Sequence, residues 1–435
     1  MSGITCKFGG TSLADATCIQ QAIDIIRENP KRRFIVPSAP GKRCRDDIKI
    51  TDLLYAWHDL ASKGLAATEP ADIIRQRFEE LAQALGVSFD IKAHLDEIAA
   101  NARTATSDYM ASRGEYLNGR LMAEVLDATF VEPAECIKFD DEGLLDPATY
   151  DLLAAKLDGD GLFIIPGFYG ATPDGNIKTF SRGGSDVTGA IVARASQSEV
   201  YENWTDVSGF RMTDPRIVPH AKAIHEVTYQ ELRELSYMGA NVLHAEAMLP
   251  VREVAIPINI RNTREPEAPG TMITARREAS QPVCGIAGRT GFTMINIEKT
   301  LMNNERGFAR RTLSVLEEHG VSFEHMPTGI DTISLIVKDE ELANHGGAIV
   351  KGIEKAVSPD RVTLTPGLAI IATVGQGMAH HVGVAGRLCA SLANAGINIR
   401  VIDQGSSEIN IIIGVEEEDF ERAVRTIYNA FETWE

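Results

Sequence analysis

Positive charge is in deficit: 43 Lys and Arg stand against 61 Asp and Glu, a formal net charge of −18. That balance argues against a nucleic-acid binder or a protein held on an anionic membrane, both of which gather cations on their surface. Apolar runs are also short. Stretches such as Gly161 to Ile165 fall far below the roughly 20 residues a membrane span needs. The N-terminus, MSGITCKFGG, has no charged segment followed by an apolar one, so it does not read as a signal peptide. None of the six cysteines forms a CxxC pair, and no His cluster has zinc spacing. The expectation is six reduced thiols in a cytoplasmic protein with no metal site of its own. There is no GxxxxGK[ST] phosphate loop, and no Ser-His or Cys-His arrangement to supply an activated nucleophile.

The chain has 435 residues with 44% hydrophobic and 24% charged, an ordinary globular composition that suggests two to four compact units. Ile4 to Phe8 is apolar enough for a strand and is followed by Gly9-Gly10-Thr11-Ser12. Ile19, Ala22, Ile23 and Ile26 then recur at helical spacing until Asn29-Pro30, and Phe34 to Val36 reads as a second buried strand. This strand, glycine loop, helix, strand order predicts an α/β domain with a largely parallel sheet. Residues 50 to 130 read as mainly helical. Further strands are expected at Leu162 to Pro166, Ser198 to Trp204 and Pro257 to Ile260, with the domain ending between about 275 and 285.

Beyond that point the sequence repeats itself. Met294-Ile295-Asn296-Ile297 aligns with Ile370-Ile371-Ala372-Thr373, 76 residues on. At the same offset Gly307-Phe308 meets Gly383-Val384, Gly320-Val321 meets Gly396-Ile397, and Ile333, Leu335 and Val337 meet Ile409, Ile411 and Ile413. Each copy reads strand, glycine loop, amphipathic helix, glycine turn, strand, turn, strand. That is two copies of a small α+β domain, since the period is too long for a solenoid unit.

Three segments carry chemistry. Lys7-Phe8-Gly9-Gly10-Thr11-Ser12 lets backbone N–H groups approach a polyphosphate at a helix start, with the Lys7 ammonium at the strand end. Ser181-Arg182-Gly183-Gly184-Ser185-Asp186 has the same logic. Arg182 offers a planar fork for a carboxylate, and Asp186 is a helix cap or an organiser of cations such as Lys7. Thr205-Asp206-Val207-Ser208-Gly209, leading to Arg211, Asp214 and Arg216, reads as a polar loop or as a nucleotide pocket with Arg216 toward phosphate. Glu115, after Gly114 and between helical stretches, has by itself the pattern of a solvated surface residue.

Taken in order, KFGGTS, SRGE, FSRGGSD, TDVSGFRMTDPR and GANVLH resemble the aspartate kinases of the amino-acid kinase family, and the repeat resembles their tandem ACT domains. The resemblance covers essentially the whole chain. It implies an amino-acid kinase (carbamate-kinase-like) domain over 1–280, with a mostly parallel sheet sandwiched by helices. Two α+β, ferredoxin-like ACT repeats would follow over 285–360 and 361–435, with strands open to exchange between them. It also implies transfer of the γ-phosphoryl of ATP, with Mg²⁺, to the β-carboxylate of aspartate, at the head of lysine, threonine and methionine biosynthesis. By the same resemblance Lys7 and Asp186 are catalytic. Lys7, Gly9, Gly10, Ser12, Thr205, Asp206, Arg211, Asp214, Arg216 and Asn241 line the ATP site. Ser38, Thr51, Glu115, Arg182, Gly184 and Ser185 hold aspartate. Met302, Gly307, Phe308, Val321 and Glu324 form an effector pocket, with lysine favoured over threonine because Glu324 could pair an ε-ammonium. Pairing of ACT sheet edges implies a homodimer or homotetramer.

The chain departs from the family at Arg211, often Tyr, at Asn241, usually Lys, and at Ala245, usually Pro. A charged insert from Gly41 to Ile50 also separates Thr51 from the Ser38 loop. The competing readings are a kinase acting on glutamate or a related acid, and a weakly active amino-acid sensor.

Overall fold

The computed structural model describes residues 3–434 apart from 182, 241–242, 244 and 279–280. The chain forms two compact units. The first takes residues 1–210, 224–229 and 242–277; the second takes 211–223, 230–241 and 278–435.

In the first unit the strands are β1 (Ile4–Phe8), β2 (Arg32–Pro37), β3 (Thr129–Phe130), β4 (Phe163–Ile164), β5 (Tyr169–Ala171), β6 (Ile177–Thr179), β7 (Val200–Thr205), β8 (Glu226–Thr228), β9 (Ile258–Asn262) and β10 (Thr271–Thr274). Eight of them form one sheet in the order β3-β4-β2-β1-β7-β9-β10-β8, parallel except where β10 meets β9. β5 and β6 pair as a separate hairpin. Every residue of β1 is buried, as expected of a central strand covered on both faces. Helix Ala16–Glu28 starts where the Asp15 carboxylate accepts the Cys18 N–H at 2.9 Å, and it buries Ile19, Ala22, Ile23 and Ile26. The region read as helical resolves into Ile50–Ser62, Thr68–Leu85, Ile91–Asn101 and Ser107–Leu126, followed directly by strand β3. Strands β3, β5, β6, β8 and β10 are too short for periodicity to register. Among the described residues no helix is long and apolar enough to cross a membrane.

The second unit carries β11 (Gly285–Glu298), β12 (Thr332–Lys338), β13 (Arg361–Val374), β14 (Val401–Asp403) and β15 (Asn410–Glu416), in the antiparallel order β12-β11-β13-β15-β14. The 76-residue repeat is visible in its helices, Phe308–Glu318 and Val384–Asn394. Both begin at a glycine in the left-handed region, Gly307 at φ 75° and Gly383 at φ 99°. The turns after them are built alike, with Gly320 at φ 66° and Gly396 at φ 67°.

The two copies exchange strands. Gly285–Arg289, at the start of the first repeat, pairs with Val374–Ile370 of the second, while Arg361–Thr365 pairs with Glu298–Met294 of the first. The strand segment 361–365 therefore belongs to the first repeat's sheet, on the other side of the boundary drawn at 361. The segments 211–223 and 230–241, which the sequence reading kept with the first domain, also lie in the second unit. Met212, Val218 and Ala221 share a core with Val283, Ile371 and Tyr428, and the Lys222 N–H donates to the Tyr428 hydroxyl at 3.2 Å. The strand expected after the Gly320 turn, at Val321 to Glu324, is a loop, and the bridges His325 to Ile336 and Thr328 to Ile333 follow it.

Candidate active site

Strand alternation turns Lys7 to the opposite face of the sheet from Cys6 and Phe8, and register sets it between Val36 of β2 and Asn203 of β7. After β1 the turn is laced to its neighbours. The Gly9 N–H donates to the Trp204 carbonyl at 3.0 Å, the Ser38 N–H to the Phe8 carbonyl at 3.0 Å, and the Gly41 N–H to the Gly10 carbonyl at 2.8 Å. A Cβ on Gly10 would stand 2.9 Å from the Ala39 carbonyl oxygen, so the close approach requires glycine. Ser12 is buried, with its hydroxyl 3.0 Å from that of Thr263.

The second glycine turn converges on the same point. Gly183, at φ 59°, opens helix Gly184–Ala195. In its first turn the Asp186 Oδ1 lies 2.6 Å from Lys7 Nζ, the two side chains being only 14% and 10% exposed. The same oxygen accepts from Asn203 Nδ2 at 2.8 Å. Gly184 and Ser185 are buried beneath Gly167 and Phe168. Phe168 sits at φ 84°, an unusual conformation for a bulky residue. Its N–H donates to Thr188 Oγ1 at 3.0 Å, and its carbonyl accepts the Phe180 N–H at 2.9 Å. Arg182 lies outside the described residues.

Glu115 is a correction. It sits inside the continuous helix Ser107–Leu126, buried rather than solvated, and its Oε2 has no partner among the described residues. Gly114 allows this: a Cβ there would meet Ala39 Cβ at 2.9 Å and Ile50 Cγ2 at 3.3 Å, so the helix lies directly on the Ser38–Ala39 loop and on the start of helix Ile50–Ser62. Asn118, one turn on, donates to the Ser38 carbonyl at 2.7 Å. Ser38, Glu115 and the helix start bearing Thr51 are thereby brought together. Burial pushes the Glu115 carboxyl up to about 7, against the lowering effect of the Ala39 amide and of Arg113.

In the first unit Thr205 ends β7 with its hydroxyl 3.2 Å from Asp206 Oδ1. Arg211, Asp214 and Arg216 belong to the second unit. Arg211 Nη1 donates to the Ala221 carbonyl at 2.8 Å. Asp214 holds Arg216 at 2.6 Å, and that hydrogen bond keeps the Asp214 carboxyl below its ordinary range. Both line a cavity of about 290 Å³ with Thr213, Arg289 and Thr290. Asn241 lies outside the described residues.

Of the residues expected to hold an effector, Met302, Phe308 and Val321 are buried in the core of the first repeat, and Gly307 caps its helix. The Glu324 carboxylate is 2.8 Å from Lys338 Nζ. Burial raises its pKa, but hydrogen bonds from Lys338 and Tyr237 outweigh that and hold the carboxyl below its usual value.

Residues 4–262 match the model of the amino acid kinase family, and residues 371–431 match an ACT domain. Over 444 aligned residues the chain is 38% identical to aspartokinase 3 of Bacillus subtilis, covering 98% of each chain. The chain belongs to the aspartokinase family. This aspartokinase-family chain superposes on the crystal structure of Clostridium acetobutylicum aspartate kinase with a TM-score of 0.93 and 47% identity, over 99% of this chain and 100% of that one. It also matches Escherichia coli aspartokinase III solved with aspartate and ADP, with a TM-score of 0.75 and 28% identity, over 99% and 100% of the two chains. The shared fold is a mostly parallel kinase sheet followed by antiparallel ACT domains.

Sequence reasoning missed Asn203, Asn118 and Arg289, because their relevance lies in strand register and helix packing. It also missed a buried network on the other face of β7. There Glu202 takes Arg32 Nε at 2.8 Å and Trp204 Nε1 at 2.9 Å, with Arg261 Nη1 at 3.5 Å. Arg32 and Arg261 both lie over the Trp204 ring.

Proposed function

We propose that the chain is an aspartate kinase, transferring the γ-phosphoryl of MgATP to the β-carboxylate of L-aspartate to give 4-phospho-L-aspartate. The observation that carries the reading is the meeting of Lys7 and Asp186 at 2.6 Å, where two glycine turns converge at the end of β1. Aspartate's β-carboxylate, with a reference pKa near 3.9, is ionised at neutral pH, so no general base is needed. The difficulty is bringing one anion against another. Lys7, the Gly10 amide and the N-terminus of helix Gly184–Ala195 offset that repulsion and hold the reactants in line. Ser38, Thr51, Glu115 and Ser185 hold aspartate, with Glu115 facing the α-ammonium and Arg182 a carboxylate. In the first unit Thr205 and Asp206 receive the nucleotide.

Among the described residues no three His, Cys, Asp or Glu side chains cluster as metal ligands. Mg²⁺, carried largely by the phosphates, would neutralise their charge. A hydroxamate assay with aspartate, glutamate and no acceptor tests the reading. Signal with aspartate alone is expected; equal or greater signal with glutamate would reassign the acceptor, and none would leave a sensor.

The ACT repeats suit feedback by a pathway end product, with lysine favoured over threonine. Glu324 already accepts a lysine-type ammonium from Lys338, the geometry a ligand's ε-ammonium would copy. Calorimetry of Glu324→Ala tests this, with unchanged lysine affinity counting against it. Escherichia coli aspartokinase III, 28% identical, has been solved with lysine and aspartate, which supports the choice. A cytoplasmic homodimer or homotetramer joined through ACT sheet edges completes the proposal, and sedimentation equilibrium checks the assembly.

A further inference from the structure

We propose that Asn203 is the positioning residue of the Lys7–Asp186 pair; the inference rests on the phosphotransferase reading above. Asn203 is 3% exposed on β7, in register beside Lys7 of β1. A buried amide at this point costs stability unless it is bonded, and an apolar side chain of the same size would fill the space. The amide is bonded to Asp186: Nδ2 donates to the Oδ1 that also takes Lys7 Nζ. A second residue of the strand grips the same helix turn, since the Tyr201 hydroxyl donates to the Asp186 carbonyl at 3.0 Å and lies 3.4 Å from Asn203 Nδ2. β7 thus holds Asp186 by side chain and by main chain.

Lysine's ammonium has three N–H donors. A freely rotating Asp186 could close over Lys7 with both oxygens and cancel its charge. Asn203 occupies part of Oδ1 and fixes the carboxylate rotation, so Lys7 gives Asp186 one donor. Among the described residues the others have no acceptor, and they lie beside Gly9, whose Cβ position is 3.5 Å from Nζ. Because Lys7 and Asn203 are strand neighbours, sheet hydrogen bonds rather than a loop set their spacing. Asparagine also donates without titrating. The ionisable groups facing it are Lys7 from β1, Asp186 from the helix and Tyr201 from its own strand.

The test uses the full chain, with kcat, KM for aspartate, KM for ATP and thermal melting measured together. Asn203→Leu is expected to lower kcat by about 10- to 100-fold with KM for aspartate within twofold and a cooperative melt, the size of effect set by a hydrogen bond to a charged group. A kcat within threefold of wild type, or a loss confined to KM, overturns the proposal. Asn203→Asp keeps the shape and gives a second reading if the leucine variant fails to fold. Its new carboxyl donates only when protonated, so activity should fall as pH rises through its pKa, a fall the wild type lacks; superimposable pH profiles would overturn the proposal. Wild-type turnover in the same assay separates this failure from failure of the aspartate reading itself.

Discussion

Lys7 is a cation in a wholly buried strand, and its ammonium meets Asp186, in the first turn of helix Gly184–Ala195. Lys7→Ala is expected to reduce turnover at least ~100-fold, in line with the loss of one preorganised charge stabiliser. Steady-state rates with MgATP and aspartate check it, and a drop under threefold would remove Lys7 from the chemistry. Glu115 gives a pH signature. Its carboxyl is raised from 4.5 to about 7, so the folded chain retains a proton that the unfolded chain has already lost between those values. Stability contributed at this site is therefore present below pH 4.5 and falls as pH rises toward 7, by a few kcal/mol in order of magnitude. On the proposed reading binding runs the other way, since pairing with the α-ammonium would need the anion. KM for aspartate should rise roughly tenfold from pH 8 to pH 6, following the titration. Glu115→Gln should have a flat, high KM and greater stability at pH 8 than wild type.

At the scale of elements, the site depends on close approach between helix Gly184–Ala195 and β7. A Cβ on Gly189 would overlap the Tyr201 hydroxyl. Gly189→Ala should destabilise by about 1–3 kcal/mol through overpacking and should also lower kcat, because the helix that moves carries Asp186. Denaturant melts and rates on the same preparation check both. On the other face, Glu202 stands against two guanidiniums with only 4% of its surface exposed. Glu202→Leu leaves the buried Arg32 with only the exposed Glu28, 3.4 Å away, as a charge partner and is expected to cost about 3 kcal/mol, seen as a lower denaturant midpoint. The elements that form the glycine turns were legible in the sequence because glycine, lysine and small helix residues are informative in short windows. The burial of Glu115 was not. Solvated and buried glutamates look alike until the helix partner is known, and that partner, the Ser38–Ala39 loop, lies over 70 residues away in the chain.

For the whole molecule, strand exchange makes the repeats interdependent. Residues 361–435 alone would lack Gly285–Arg289, which completes their sheet, and Met212, Val218 and Ala221, which fill their core. Expressed by itself, that segment should show no cooperative thermal transition by circular dichroism, while the full chain does. The 76-residue repeat, the glycine caps and the α/β order with its phosphate-type turns were fixed by local chemistry, since left-handed caps, short-range periodicity and charge type act over a few residues. Tertiary structure alone decided which strand completes which repeat, that Asn203 stands beside Lys7, that Glu324 is already paired by Lys338, and that residues 211–223 pack with the second unit. Each of these is a contact between segments distant in the chain. It is settled by competition for burial and hydrogen-bond partners, which no local window of sequence contains.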